Sequence, residues 1–193
     1  MAHDSNRSLG GLSQQLAKVL LGFGCRNGFH AFILDKTNIS SKNGIETSSG
    51  PQVRPTLGKR LVKSPKVYVR DSGLLHALLG LGTHDALLAH PVVGNSWEGF
   101  AIETLLNAAP RDAQFGFYRS SNGAEIDLVI DAPGQGLMAI EVKRGVTAKP
   151  RRGFYSACED LKPVHKFLVH GGADGEAYPV GDGVMALSLR GLA

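Results

Sequence analysis

Cysteine is nearly absent from this chain: Cys25 and Cys158 are the only two among 193 residues. So few thiols exclude a disulfide scaffold, and the lack of any CxxC pair excludes the usual cysteine-based zinc sites. Long apolar runs are missing too. A stretch such as Gly73 to Leu81 falls far short of the roughly 18 residues that cross a bilayer. Asp4, Ser5 and Asn6 precede any hydrophobic stretch, which does not match a secretory signal. A reducing, cytoplasmic setting without membrane contact is therefore expected. The seven histidines show no metal-ligand spacing, and His84, His90, His165 and His170 read as structural. No GxxxxGK[ST] occurs: Gly58-Lys59-Arg60 lacks both its spacing and its hydroxyl residue, so no nucleotide site is expected. Gly94-Asn95-Ser96-Trp97-Glu98-Gly99 does not fit the GxSxG elbow of serine hydrolases, and Ser96 reads as a helix cap.

What the chain does have is enough apolar residues, 42%, for one packed domain with an appendage. Its 21 Lys and Arg outnumber 17 Asp and Glu. Residues 1–55 read unlike the rest. Leu12, Leu16, Val19 and Leu20 recur at helical spacing and predict a helix over 9–21. Residues 38–52, rich in Ser, Asn, Gly and Thr, read as a flexible linker closed by Pro51 and Pro55.

The main domain is expected over 56–193. Six basic residues and no acid fall between Arg54 and Arg70, and Lys66-Val67-Tyr68-Val69 within that run reads as a short strand. Asp71-Ser72 should cap a helix carrying Leu74, Leu75, Leu78 and Leu79, and His84 to Leu88 adds a further turn. A longer helix, capped by Asn95 or Ser96 and ended by Pro110, should bury Trp97, Phe100, Ala101, Leu105 and Ala108. Strands are expected at 114–119, 125–130 and 137–143, then a helix at 150–161. Another strand should follow at 165–170, with short strands near 177–180 and 184–189. The core order, helix, three strands, helix, strand, argues for an α/β or α+β fold with a central mixed sheet flanked by helices.

Strand alternation singles out one constellation. In 125–130, Ile126, Leu128 and Ile130 should share one face, with Glu125 and Asp127 on the other. In 137–143, Glu141 and Lys143 lie opposite Met138, Ile140 and Val142. A hairpin with loop 132–136 would set Asp127 opposite Glu141. Two carboxylates so placed repel, and a hard divalent cation resolves the conflict. Lys143 could then orient water or stabilise charge on a phosphorus centre. A third acid from the preceding helix would complete the set. Glu98 and Glu103 are the candidates, but about 140° around the helix separates them, so only one can take part. Lys143, Arg144, Lys149, Arg151 and Arg152 form a second basic stretch suited to a phosphate backbone. Glu125 could support the site or simply be exposed. Cys158 reads as an inert buried thiol.

Three segments, Leu57 to Leu75, Gly94 to Phe100 and Phe117 to Asp127, resemble the domain of unknown function 4143, a C-terminal domain of prokaryotic AAA-type ATPases. With Glu141-Val142-Lys143 they also resemble the PD-(D/E)XK superfamily and its restriction-endonuclease-like core, order αβββαβ. The similarity spans roughly residues 56–170. It implies that Glu98, Asp127 and Glu141 bind Mg²⁺ or Mn²⁺ and that Lys143 is the motif lysine, with Glu125 as outer support. It favours Glu98 over Glu103. Metal-dependent DNA hydrolysis is the activity implied, with Lys59, Arg60, Lys63, Arg119, Arg144, Lys149, Arg151 and Arg152 contacting nucleic acid. The alternative is a non-catalytic DNA- or protein-binding module. A second copy of the chain or a partner ATPase could associate with it. Residues 1–55 depart from the winged-helix-like segment expected there.

Overall fold

The structure, a computed structural model, describes residues 31–34, 61, 66–147, 149–173 and 175–192. Two antiparallel strands come first, β1 (Ala31–Leu34) and β2 (Lys66–Val69). Helices α1 (Ser72–Leu78), α2 (His84–Ala89) and α3 (Val93–Ala108) follow. The antiparallel run β3 (Gln114–Arg119), β4 (Glu125–Ala132) and β5 (Gly136–Lys143) leads into α4 (Arg152–Leu161). Strands β6 (His165–His170), β7 (Tyr178–Gly181) and β8 (Val184–Ser188) and a 3₁₀ turn at Arg190–Leu192 complete the chain.

Six of these strands form one mixed sheet in the order β3-β4-β5-β6-β8-β7. Strand β6 runs parallel to both β5 and β8, and α4 makes the crossover from β5 to β6. The fold is therefore α+β, an open sheet with helices on its faces. Strand β1 was not anticipated within residues 1–55, and the helix expected at 9–21 and the linker at 38–52 lie outside the described residues.

Local signals explain most element starts. Asp71 accepts from the Leu74 amide at 2.9 Å and caps α1, and Thr83 does the same for α2 through Ala86 at 3.2 Å. The long helix differs from expectation. It begins at Val93 with no side-chain cap, so Asn95 and Ser96 lie inside it. Ser96 is instead buried against His76, its Oγ 2.6 Å from Nε2. The buried stripe is Ser96, Gly99, Ala101, Ile102 and Leu105. Phe100 is 46% exposed, because it falls outside the arc that this stripe occupies.

Two apolar layers sandwich the sheet. On one side, Ala101, Ile102 and Leu105 of α3 pack with Leu128, Ile130, Met138, Ile140, Val142 and Phe167. On the other, Phe154, Ala157 and Cys158 of α4 pack with Ala124, Ile126, Val129, Ala139 and Leu168. Cys158 is buried as expected, and that burial pushes its thiol up to about 11.

Ile126 thus packs opposite to Leu128 and Ile130, contrary to simple alternation. The ladder explains it: Gly116 pairs with Val129 and Tyr118 with Ile126, so two steps on β3 oppose three on β4. The extra residue is a bulge in β4, which rephases the strand between Ile126 and Val129. The hairpin to β5 is also tighter than the expected 132–136 loop. Ala132 already pairs with Gly136, and the turn carries Gly134 and Gly136 at positive φ.

Candidate functional site

Glu98 lies in the second turn of α3, Glu125 and Asp127 at the start of β4, and Glu141 and Lys143 at the end of β5. All five belong to one region, and Glu98, Glu125, Asp127, Glu141 and Lys143 line a cleft of about 420 Å³ with Arg144 and Arg151. Among the remaining predicted cations, Arg119 ends β3 and pairs with Glu125 at 2.9 Å. Lys149 and Arg152 are exposed outside the cleft lining. Lys59, Arg60 and Lys63 lie outside the described residues. Glu103, the rival to Glu98, is turned away from the cleft to pair with Arg70, and it also accepts from Asn107 at 3.1 Å.

The centre of the acidic set is filled by a residue not assigned to it from the sequence. Lys66 Nζ lies 2.8 Å from Asp127 Oδ1, 2.9 Å from Glu125 Oε1 and 3.1 Å from Glu98 Oε1. Its side chain is 7% exposed. Burial alone would push this amine down, but Asp127, Glu98 and Tyr68 outweigh it and hold the ammonium protonated far above the ordinary lysine range. Tyr68 points the same way, and its hydroxyl donates to Glu98 Oε1. Strand β2 is therefore inverted relative to the usual pattern: Lys66 and Tyr68 face inward while Val67 is 61% and Val69 41% exposed. The Lys-Val-Tyr-Val alternation marks a strand with two distinct faces but does not say which of them is turned inward.

The backbone accommodates this arrangement. Gly99, next to Glu98, sits where a Cβ would come within 3.1 Å of the Tyr68 ring. The bulge in β4 turns Asp127 toward β2 and α3, and its second oxygen accepts from the Val142 amide of β5 at 3.0 Å. Asp127 thus ties three elements together.

Glu141 is almost fully buried, and Lys143 Nζ pairs with it while donating to the Val142 carbonyl at 3.2 Å. Burial and then the negative charge of Asp127 push the Glu141 carboxyl up to about 6, and Lys143 and Arg151 only partly offset this. A carboxyl raised on folding favours the native state when protonated. Stability from this group is complete below about 4.5 and is lost as pH rises through about 6. In a chelator, the wild type should lose several degrees of melting temperature across that window relative to Glu141→Gln. Parallel melting curves for the two proteins would exclude this titration.

The donor chemistry suits a hard cation. Three carboxylates already converge on one positive charge, and Glu141, paired with Lys143, lies close enough for the charge of Asp127 to act on it. The spacing is that of an ammonium rather than of a metal. Among the described residues, no three acidic, His or Cys side chains close around a point in ligand geometry. Glu98, Asp127 and Glu141 are the residues that would hold a divalent cation here, with Glu125 able to join them.

Comparison with known proteins gives the same part of the chain a family context. Residues 93–192 match the family described as "Domain of unknown function (DUF4143)", and residues 48–85 match a second, "Domain of unknown function (DUF8612)". The chain is 37% identical over 131 residues to "Uncharacterized protein Rv2008c" of Mycobacterium tuberculosis and, equally, to "Uncharacterized protein Mb2031c" of Mycobacterium bovis. The aligned part covers 68% of this chain and 29% of each relative. No solved structure matches. Among the described residues, no helix is long and apolar enough to cross a membrane.

Proposed function

Because the chain belongs to the domain of unknown function 4143 family, we propose that it is a nuclease-like domain of the PD-(D/E)XK type, hydrolysing DNA phosphodiesters with Mg²⁺ or Mn²⁺. One observation carries this reading: Glu98, Asp127, Glu141 and Lys143, brought from three separate elements, line a single cleft. The element order from α3 through β3, β4, β5 and α4 to β6 agrees with the αβββαβ order that the resemblance implies, and this supports the reading.

Each residue has a role in this reading. Glu98, Asp127 and Glu141 hold the cation, which when bound neutralises phosphate charge and acidifies water. Lys143, fixed by Glu141 and the Val142 carbonyl, presents an ammonium where charge develops on the phosphorus centre. Arg144 and Arg151, both exposed along the cleft, attract the DNA backbone through its phosphates, with Lys149 and Arg152 extending that surface. Asp127 also positions the ends of β4 and β5 relative to one another. The wider setting, an accessory domain acting with an AAA-type ATPase, is in keeping with curated relatives more than three times as long as the matched part.

A second reading, a non-catalytic DNA- or protein-binding module, is favoured by one feature. Lys66 balances part of the charge of the acids without any metal. Incubation with supercoiled and branched DNA separates the two. Cleavage with Mg²⁺ or Mn²⁺ that stops with chelator supports the nuclease reading. Binding without cleavage under either metal supports the module.

A further inference from the structure

Lys66 makes three ion pairs at 2.8–3.1 Å with acids from two elements, α3 and β4, while being nearly excluded from solvent. A lysine used only to anchor a strand needs one partner; this one sits where three carboxylates point. Magnesium binds oxygen at about 2.0–2.1 Å. A second cation drawing the same oxygens inward would lie within a few ångströms of Nζ, and at such a separation two positive charges repel strongly. The ammonium and a metal therefore compete for one place.

The strand that carries Lys66 is suited to yield it. Strand β2 is four residues long and pairs with β1 in a two-stranded sheet separate from the six-stranded one. Moving it leaves every ladder of the main sheet intact. Tyr68 lies on the same face of β2 and donates to the same Glu98 oxygen, so a movement of the strand frees that carboxylate of both donors at the expense of the Tyr68 packing against α3.

We propose that Lys66 is a tethered cation that fills the cluster of Glu98, Glu125 and Asp127 and is displaced when a divalent cation binds, so that β2 gates the site. This rests on the metal-site reading above and adds to it a resident competitor.

Mn²⁺ binding to the full chain, followed by calorimetry and by the loss of the free-ion paramagnetic signal, tests it without reference to cleavage. Lys66→Met should bind Mn²⁺ about tenfold or more tightly than the wild type, as expected when an opposing unit charge is removed. Lys66→Arg, which keeps the charge, should bind no better than the wild type. Mn²⁺ should also raise the melting temperature of Lys66→Met more than that of the wild type. If Lys66→Met does not fold, Lys66→Gln, able to hydrogen-bond Asp127, takes its place with the same expectation. Equal affinity in the wild type and the neutral variant, both lost in Asp127→Asn, would overturn the gating role while leaving the metal site standing. Absence of Mn²⁺ binding in all of them at millimolar concentration would overturn the metal reading and the gate together.

Discussion

Asp127→Asn is expected to lower divalent-cation-dependent DNA cleavage at least about a hundredfold, the scale on which single charge-stabilising groups act in catalysis. The substitution removes the negative charge on which both Lys66 and a bound cation depend. It keeps an oxygen able to accept from the Val142 amide, which is why Asn is preferable to Ala here. Alanine would strand that amide at the buried end of the β4–β5 ladder, and an unsatisfied buried donor costs about 1–3 kcal/mol. Lys66 would retain Glu98 and Glu125, so the fold should survive. Plasmid nicking measured beside far-ultraviolet dichroism provides the check. Wild-type cutting rates in a folded Asp127→Asn protein would show that the acids do not form the active centre.

The largest expected effect on stability comes from adding a single methyl group. A Cβ at Gly153, in the first turn of α4, would stand 2.3 Å from the Gly123 carbonyl oxygen. Both parties are backbone, so no rotamer change relieves the clash. Helix α4 would have to lift from the turn between β3 and β4, disturbing Phe154 and Ala157 in the core behind it. Gly153→Ala should cost about 3 kcal/mol, at the upper end of ordinary overpacking, and lower the melting temperature by roughly 10 °C. Gly94→Ala, where nothing lies within 4 Å of the added atom, is the control and should be neutral or slightly stabilising. Equal melting temperatures for the two variants would mean that α4 is not seated as described.

Much of this architecture was readable from local chemistry. Asp71 announced α1, the alternation of Met138, Ile140 and Val142 placed β5 against its core, and the order of elements from α3 to β6 gave the layered class. Glu98 could be chosen over Glu103 only by resemblance, because helical geometry excluded the pair and not either member. Residues that were misjudged share a cause, which is that tertiary contacts overrode a local rule. Ser96 resembles a cap in isolation, but a preceding turn starting at Val93 and the His76 ring behind it drew it into the helix. Phe100 fitted the apolar period, yet the residues that meet the sheet are Ala101, Ile102 and Leu105.

Lys66 was hidden for a different reason. Placed in a run of six basic residues without an acid, it reads as solvated or phosphate-facing. Its partners lie 32, 59 and 61 positions away, at 98, 125 and 127, and no window of sequence joins them. The valines between and beyond the polar pair of β2 pointed the other way, since alternation ordinarily turns the apolar set inward.

The supernumerary residue of β4 carries a consequence for how this chain compares with others. Ile126 and Val129 both face α4 although they stand three positions apart, so deleting Leu128 would restore even pairing with β3 without changing the layer that either of them meets. What would be lost is the local kink that the additional residue puts into the strand beside Asp127. Spacing across these few positions should therefore govern where that carboxylate is aimed more than how the two apolar layers fill.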